Sequence, residues 1–373
     1  AADPAWGRQR AVEVEVLAGR GRVDEVAAKG ERLLADATDA GWTDVLPDVL
    51  AHLAWARRHR GDPSEAAGLA ERARDLWAAA GEARRELRSA AELAAIYLAL
   101  GRALEAEATA RAILPVATAR GWADLVARAL VVLANLHEYA GRFEEAEADG
   151  RRALDLALSV GDEAVAARAA RRVVGALVAL GRVAEAEGLQ RETVERSRRL
   201  GVTHGLAMDR NLLGEILRRR GDLVEAARWY ADSLDLCRRL GADPVIPSLN
   251  LAQVYLTLGE AADALAIVEG VLARDPEGLQ RIGARVIGVA VAARTGDVER
   301  FGAWWPGLGE ELARARYADP DFAALLGRAA DDLAARGDPR AEEVRAVALA
   351  QAAATHRDTP VGPPGAPPTA ISS

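Results

Sequence analysis

Apolar residues along this chain recur at three- and four-residue spacing in blocks that glycines interrupt about every twenty residues, as at Leu130, Leu133, Ala134 and His137 ahead of Gly141. That spacing gathers side chains on one face of a helix, so each block reads as an amphipathic helix. Glycine suits the breaks because it takes the left-handed backbone conformation that closes a helix C-terminus at little steric cost. Two glycine series alternate. One runs through Gly21, Gly61, Gly101, Gly141, Gly181 and Gly221, every step forty residues, with looser copies at Gly259, Gly296 and Gly337. The other lies half a period out of phase, at Gly41, Gly81, Gly121, Gly161, Gly201 and Gly241.

A fixed phrase follows the first-series glycines from Gly61 to Gly221: GDPSEA, GRALEA, GRFEEA, GRVAEA, GDLVEA; the Gly21 copy, GRVDEV, has valine in the last place. Its glutamates, Glu65, Glu105, Glu145, Glu185 and Glu225, fall in the first turn of every second helix. There a carboxylate is favoured by the unpaired backbone N–H groups and the helix dipole. The next residue is always alanine (Ala66, Ala106, Ala146, Ala186, Ala226), small enough for two helices to approach closely. The phrase is a packing device rather than a catalytic one. Arg198, Arg199, Arg238 and Arg239 precede breaks of the second series and read as helix ends, where cations suit the dipole.

The pattern is fullest in NLAQVYLTLGEAADALAIVEGVLARDP, with Leu251, Ala252, Tyr255, Gly259, Ala264, Leu272 and Pro276. It resembles the tetratricopeptide repeat (TPR), a helix-turn-helix unit with a small residue in the first helix, glycine at the turn and alanines in the second helix. Leu93, Ala94, Tyr97 and Gly101 repeat the first half, as do Leu213, Gly214, Leu217 and Gly221. The common unit has about 34 residues; forty is similar to the lengthened variant of kinesin-light-chain-type and many bacterial signalling TPR proteins, about one extra turn per helix. HEAT repeats have a similar period, but the turn glycine with alanine five residues later favours TPR. The resemblance implies an all-α, right-handed superhelical solenoid of about nine helix-turn-helix pairs over residues 1–356, irregular and capping from about 296.

The ends depart from the repeat. After Gly296 the alanine slot holds Phe301, followed by Trp304, Trp305 and Pro306, which read as a cap with its own small core; an exposed aromatic anchor is the alternative. At the start, Asp3 and Pro4 suit an N-cap and first helical position. Residues 357–373, rich in Pro and Gly, read as a disordered tail.

Composition narrows the picture. Half the residues are hydrophobic and 28% charged, enough apolar material for an ordered core. A net charge of −8 speaks against general attraction to nucleic acid or anionic lipid. Lys29 is the sole lysine, and the single cysteine, Cys237, excludes an intramolecular disulfide. With no bilayer-length apolar run and no signal-peptide layout at the start, a cytoplasmic setting is expected. The sequence does not begin with Met, which suggests an excised or processed part of something longer.

Candidate chemistry is sparse. The sequence carries no P-loop, no dinucleotide-type glycine cluster, no His-Glu-x-x-His and no Gly-x-Ser-x-Gly. His137 takes the slot of Tyr97 and Tyr255 and reads as a packing residue; His52 and His59 share one helix with no further ligand implied. Cys237 reads as a small buried hydrophobe. No catalytic residue, metal or cofactor is expected.

In the resembled family the first helices of the pairs line a concave ligand groove, at positions two, five, six, nine, twelve and thirteen when the turn glycine is fifteen. Those positions give Asn135, Glu138 and Tyr139; Arg168, Arg171 and Arg172; Asn211, Glu215, Arg218 and Arg219; and Asn250 and Gln253. Amides can pair with an extended backbone, and arginine forks suit carboxylates or phosphates. The expectation is a non-enzymatic scaffold that binds a protein or peptide of acidic character, with a fused or neighbouring signalling domain such as a kinase, STAND ATPase or transcriptional activator. A sensory switch responding to a signal peptide or small molecule is the alternative. RNA binding, as in pentatricopeptide arrays, fits less well with the acidic charge and the missing basic stripe.

Overall fold

The computed structural model describes residues 4–19, 22–199, 205–315 and 319–355. The expected tail, Asp3, Gly21 and Gly201 lie outside them. Every regular element among the described residues is an α-helix, and the chain divides into two compact units that meet at residues 206 and 207.

The first unit holds α1 (Pro4–Gly19), α2 (Val23–Ala40), α3 (Leu46–His59), α4 (Pro63–Ala79), α5 (Ala83–Ala99), α6 (Ala103–Ala119), α7 (Ala123–Tyr139), α8 (Phe143–Ser159), α9 (Glu163–Ala179) and α10 (Val183–Arg199). The turn between α7 and α8 explains the glycine register. Gly141 has φ 71°, its N–H donates to the carbonyl of Glu138 at 3.1 Å, and the N–H of Arg142 donates to that of His137 at 2.8 Å. This is the Schellman arrangement, which satisfies carbonyls left open at a helix end. Gly161, φ 70°, closes α8 the same way, and Asp162 then caps α9 by accepting from the Val165 N–H at 3.1 Å. One glycine thus ends a helix and aims the chain into the next.

The alanine slot behaves as its size demands. Ala66, Ala106, Ala146, Ala186 and Ala226 all have no exposed surface. Glu65, Glu105, Glu145 and Glu185 stay at the surface and Glu225 is half-buried; in three copies the glutamate pairs with the arginine after the glycine: Arg102–Glu105 at 2.9 Å, Arg142–Glu145 at 3.9 Å and Arg182–Glu185 at 2.7 Å. Exposed pairs at this spacing contribute only about 0–1 kcal/mol, so the alanine matters more to the fold. His137 packs between the helices of its pair, Nδ1 3.4 Å from Asp149 and Nε2 3.7 Å from Glu145. Each helix packs on its sequence neighbours, and α1, α3, α5, α7 and α9 also pack on one another in a row. That row carries the predicted groove positions of the first unit.

The second unit holds α11 (Leu206–Arg220), whose first residue closes the first unit, then α12 (Leu223–Leu240), α13 (Val245–Leu258), α14 (Ala261–Leu272), α15 (Gly278–Thr295), α16 (Val298–Trp304), α17 (Leu308–Ala315), α18 (Pro320–Ala335) and α19 (Ala341–Thr355). Its centre is α15, buried on nearly all sides through Ile282, Val286, Ile287, Val289 and Val291 because α14, α16, α17 and α18 all pack on it. Gly288 lets Trp304 close in: a Cβ there would stand 2.7 Å from the indole. After Gly296 the helices shorten to seven and eight residues in α16 and α17. Phe301, in the alanine slot, is buried and stacks on Trp305 at 5.9 Å.

Candidate functional site

In the first unit the predicted residues sort into two groups. Arg172 on α9 reaches back to α7, where Nη1 donates to Glu138 Oε2 at 2.9 Å and Asn135 Oδ1 at 3.1 Å. Glu138 has room because residue 175 is glycine; a Cβ there would lie 2.3 Å from Glu138 Oε1. Burial pushes the Glu138 carboxyl upward from its ordinary value, with Arg172 pulling the other way. Burial likewise pushes the Tyr139 hydroxyl up. Asn135, Glu138 and Arg172 therefore form one interhelical knot, with Tyr139 at its edge.

Arg168 and Arg171 stand apart from it. The Arg171 guanidinium lies against Gly205, whose added Cβ would be 3.1 Å from Nη1. Arg168, near the start of α9, is enclosed by protein yet still open to solvent, as befits a recessed surface. Burial, then the like charges of Arg128 and Arg58, pull its pKa down to about 9 against the attraction of Glu92 and Asp162, so it stays a cation at neutral pH. The register extends to Arg128, which holds position two on α7 as Arg168 does on α9, and to Arg58, at position twelve of α3. Both were legible in the sequence once the rule was carried toward the N-terminus.

In the second unit the residues are largely consumed. Glu215 on α11 accepts from Arg218 at 2.8 and 3.0 Å, from Arg219 at 2.7 Å and from the buried Tyr230 hydroxyl on α12 at 3.0 Å. Gly214 admits that ring; a Cβ there would be 2.8 Å from it. Burial opposes the Glu215 charge, but the two guanidinium groups outweigh it and hold the carboxyl below its usual range. Arg218 also donates to Asp321 on α18, at 2.6 and 3.2 Å. Asn250 on α13 donates to Asn211 at 3.0 Å, and Gln253 is partly buried one turn on. Asp321 lies outside the forty-residue register, and no sequence signal marks it as the partner of Arg218.

The groups weighed for chemistry take structural places. His52 and His59 each donate from Nδ1 to the carbonyl four residues back, at 2.7 Å. Burial raises the Cys237 thiol, the opposite of what a nucleophile needs. Among the described residues no His, Cys, Asp and Glu group could hold a metal, and no helix is long and apolar enough to cross a membrane. An open cleft of about 700 Å³ along α12, beside Asp222, Trp229 and Leu258, contains none of the predicted residues.

Family models described as tetratricopeptide repeat match residues 165–239 and 206–277, and another matches 126–160. No curated protein matches the chain significantly. Among solved structures, a Rap protein complexed with competence and sporulation factor is similar at TM-score 0.59 and 12% identity, covering 94% of this chain and 100% of that one. The apo quorum sensor NprR from B. thuringiensis is similar at TM-score 0.60 and 12% identity, covering 92% and 98%. A STAND protein with a tetratricopeptide repeat sensor from Pyrococcus horikoshii matches at TM-score 0.60 and 14% identity, over 87% of this chain and 52% of that one. Turn geometry, alanine slot and these matches agree: residues 126–160 and 165–277 carry tetratricopeptide repeats.

Proposed function

We propose that this chain is a non-enzymatic docking scaffold, the regulatory repeat region of a multidomain signalling protein, whose odd-numbered helices take an acidic peptide segment or partner domain. The observation that carries the reading is a set of polar side chains that helix packing leaves partly open to solvent: Asn135, Arg168 and Arg171 in the first unit, Asn250 and Gln253 in the second. An amide can satisfy both the N–H and the C=O of an extended chain, and guanidinium groups select carboxylates. A peptide held in this way adds its own backbone bonds to the face without needing a reactive group.

The test is affinity capture with mass spectrometry on the unaltered chain and on an Arg168→Glu/Arg171→Glu double variant, Arg172 being left in place because it ties α9 to α7. Loss of captured protein, at unchanged helicity and melting temperature, is expected; equal recovery contradicts the reading. A second reading, a ligand-responsive sensor, draws on the Rap complex with its factor, the quorum sensor NprR and the STAND sensor. A ligand acts as a switch only if it prefers one conformation. Small-angle scattering with and without the captured partner separates the two, since a sensor changes its dimensions and a scaffold need not.

A further inference from the structure

Between α8, α9 and α10 the first unit keeps a cavity of about 110 Å³ that contains none of the predicted docking residues. Its floor is apolar: Leu154 and Leu158 of α8, Ala166, Ala167 and Ala170 of α9, and Leu189 of α10. Its polar lining is Glu163, the first residue of α9, with Thr193 and Ser197 of α10 and the ion pair of Arg196 with Glu192 at 2.6 Å. Glu163 Oε2 is closed off from solvent with no hydrogen-bond partner, and among the described residues no cation lies within ion-pair distance of that carboxylate. The forty-residue register shows that the cavity stands where packing would be. One unit earlier the corresponding places hold Ala123, Val126, Leu130, Ala153, Leu156 and Ala157, all apolar, with Val126 and Leu130 buried. Here they hold Glu163, Ala166, Ala170, Thr193, Arg196 and Ser197. Two bulky side chains give way to alanine and four apolar ones to polar groups. A void costs stability, and so does a buried carboxylate oxygen without a partner.

We propose that this cavity binds a short alkylammonium group, with the stem on the alanine and leucine floor and the nitrogen donating to Glu163 Oε2 beside the Thr193 and Ser197 oxygens. Size sets the stem. An apolar cavity of about 150 Å³ takes one benzene, so this one suits about four carbons and the nitrogen. Charge sets the head group: Glu192 already neutralises Arg196, which leaves Glu163 as the unmatched anion, and one ammonium brings the lining to neutrality. Hydrogen bonding agrees. Thr193 gives its proton to the Leu189 carbonyl at 2.8 Å, so its oxygen has only lone pairs left, and an ammonium offers three donors and no acceptor. The same group is carried by a free amine and by a lysine side chain of a partner. The cavity shares no residue with the docking reading and does not depend on it.

The experiment titrates the full chain with n-butylammonium, with 1-butanol as the neutral match and butyrate as the opposite charge, followed by ligand-observed NMR. A lysine capped by acetyl and N-methylamide groups presents the same ammonium on a peptide backbone. The chain is expected to bind n-butylammonium about tenfold more tightly than 1-butanol, the worth of one charge-assisted hydrogen bond, and butyrate more weakly than either. Equal binding of the capped lysine would make a partner's side chain the source; binding of n-butylammonium alone would make it a free amine. Glu163→Gln keeps the shape and is expected to abolish the preference for the cation. Ala170→Leu restores the residue of the preceding unit, fills the cavity and is expected to abolish binding of both n-butylammonium and 1-butanol at unchanged helicity. The proposal is overturned by no binding of n-butylammonium, by equal binding of 1-butanol, by tighter binding of butyrate, by a cation preference that survives in Glu163→Gln, or by binding that a folded Ala170→Leu leaves intact. Should Ala170→Leu fold poorly, Glu163→Gln still decides, because it leaves the volume unchanged.

Discussion

Arg168 and Arg218 hold predicted groove positions in successive copies of the repeat, one in each unit, and their surroundings are opposite. Arg218 donates to Glu215 and Asp321, and those carboxylates, outweighing burial, raise its pKa further. Arg168 has burial and two neighbouring arginines against it, and its pKa falls to about 9. A guanidinium at a predicted groove position is thus part of the scaffold when carboxylates of the same chain complete it, and is left without an ion pair when they do not. Register position cannot distinguish the two cases; the neighbours decide.

The sharpest way to break the comparison is to remove the anion that makes Arg218 structural. Glu215→Gln removes the charge that holds Arg218 and Arg219 and turns one of the two accepting oxygens into an NH2 donor, so that either Arg219 or the Tyr230 hydroxyl loses its acceptor, and it is expected to destabilise the second unit by about 3 kcal/mol, read by hydrogen exchange across α11 and α12. A loss confined to fraying termini would count against the network.

Glu92 gives the next effect, in the first unit. Burial opposes its charge, but Arg58, Arg168 and His59 prevail and hold its pKa down at about 2. A carboxyl depressed in the folded state contributes stability above its unfolded pKa, near the model-peptide value of about 4.3, and loses it as pH falls through the folded one. Glu92→Gln is therefore expected to cost on the order of 2 kcal/mol at pH 7, with the difference from the unaltered chain shrinking as pH drops from about 4 toward 2. A gap independent of pH would contradict the ion-pair account. Asp321→Asn is the mildest, because Asp321 is more than a third exposed and Arg218 keeps Glu215; solvent screening limits the loss to below about 1 kcal/mol.

The fold was legible because glycine and alanine recur in phase: Gly141 and Gly161 need the left-handed conformation, Ala146 must be small, and both demands repeat with the unit. The site was legible only in part. Position alone picked out Arg168 and Arg172 alike, yet Arg172 is taken up by Glu138 because residue 175 is glycine, a pairing between two helices that a one-helix pattern does not carry. Arg128 and Arg58 obeyed the rule and required only its extension. Asp321 comes from a helix outside the register, 103 residues from Arg218, so nothing periodic announced it.

The account turns on whether Arg168 is a cation kept without a partner, and the matched pair Arg168→Met and Arg218→Met tests that most directly. A base whose pKa is lower folded than unfolded costs stability wherever it is charged in both states, here at any pH below about 9; one whose folded pKa is raised contributes stability. Differential scanning calorimetry at pH 7 is expected to show Arg168→Met melting at or above the unaltered chain and Arg218→Met melting well below it. Equal destabilisation by both would mean that Arg168 is as structural as Arg218, and the vacancy in the first unit would not exist.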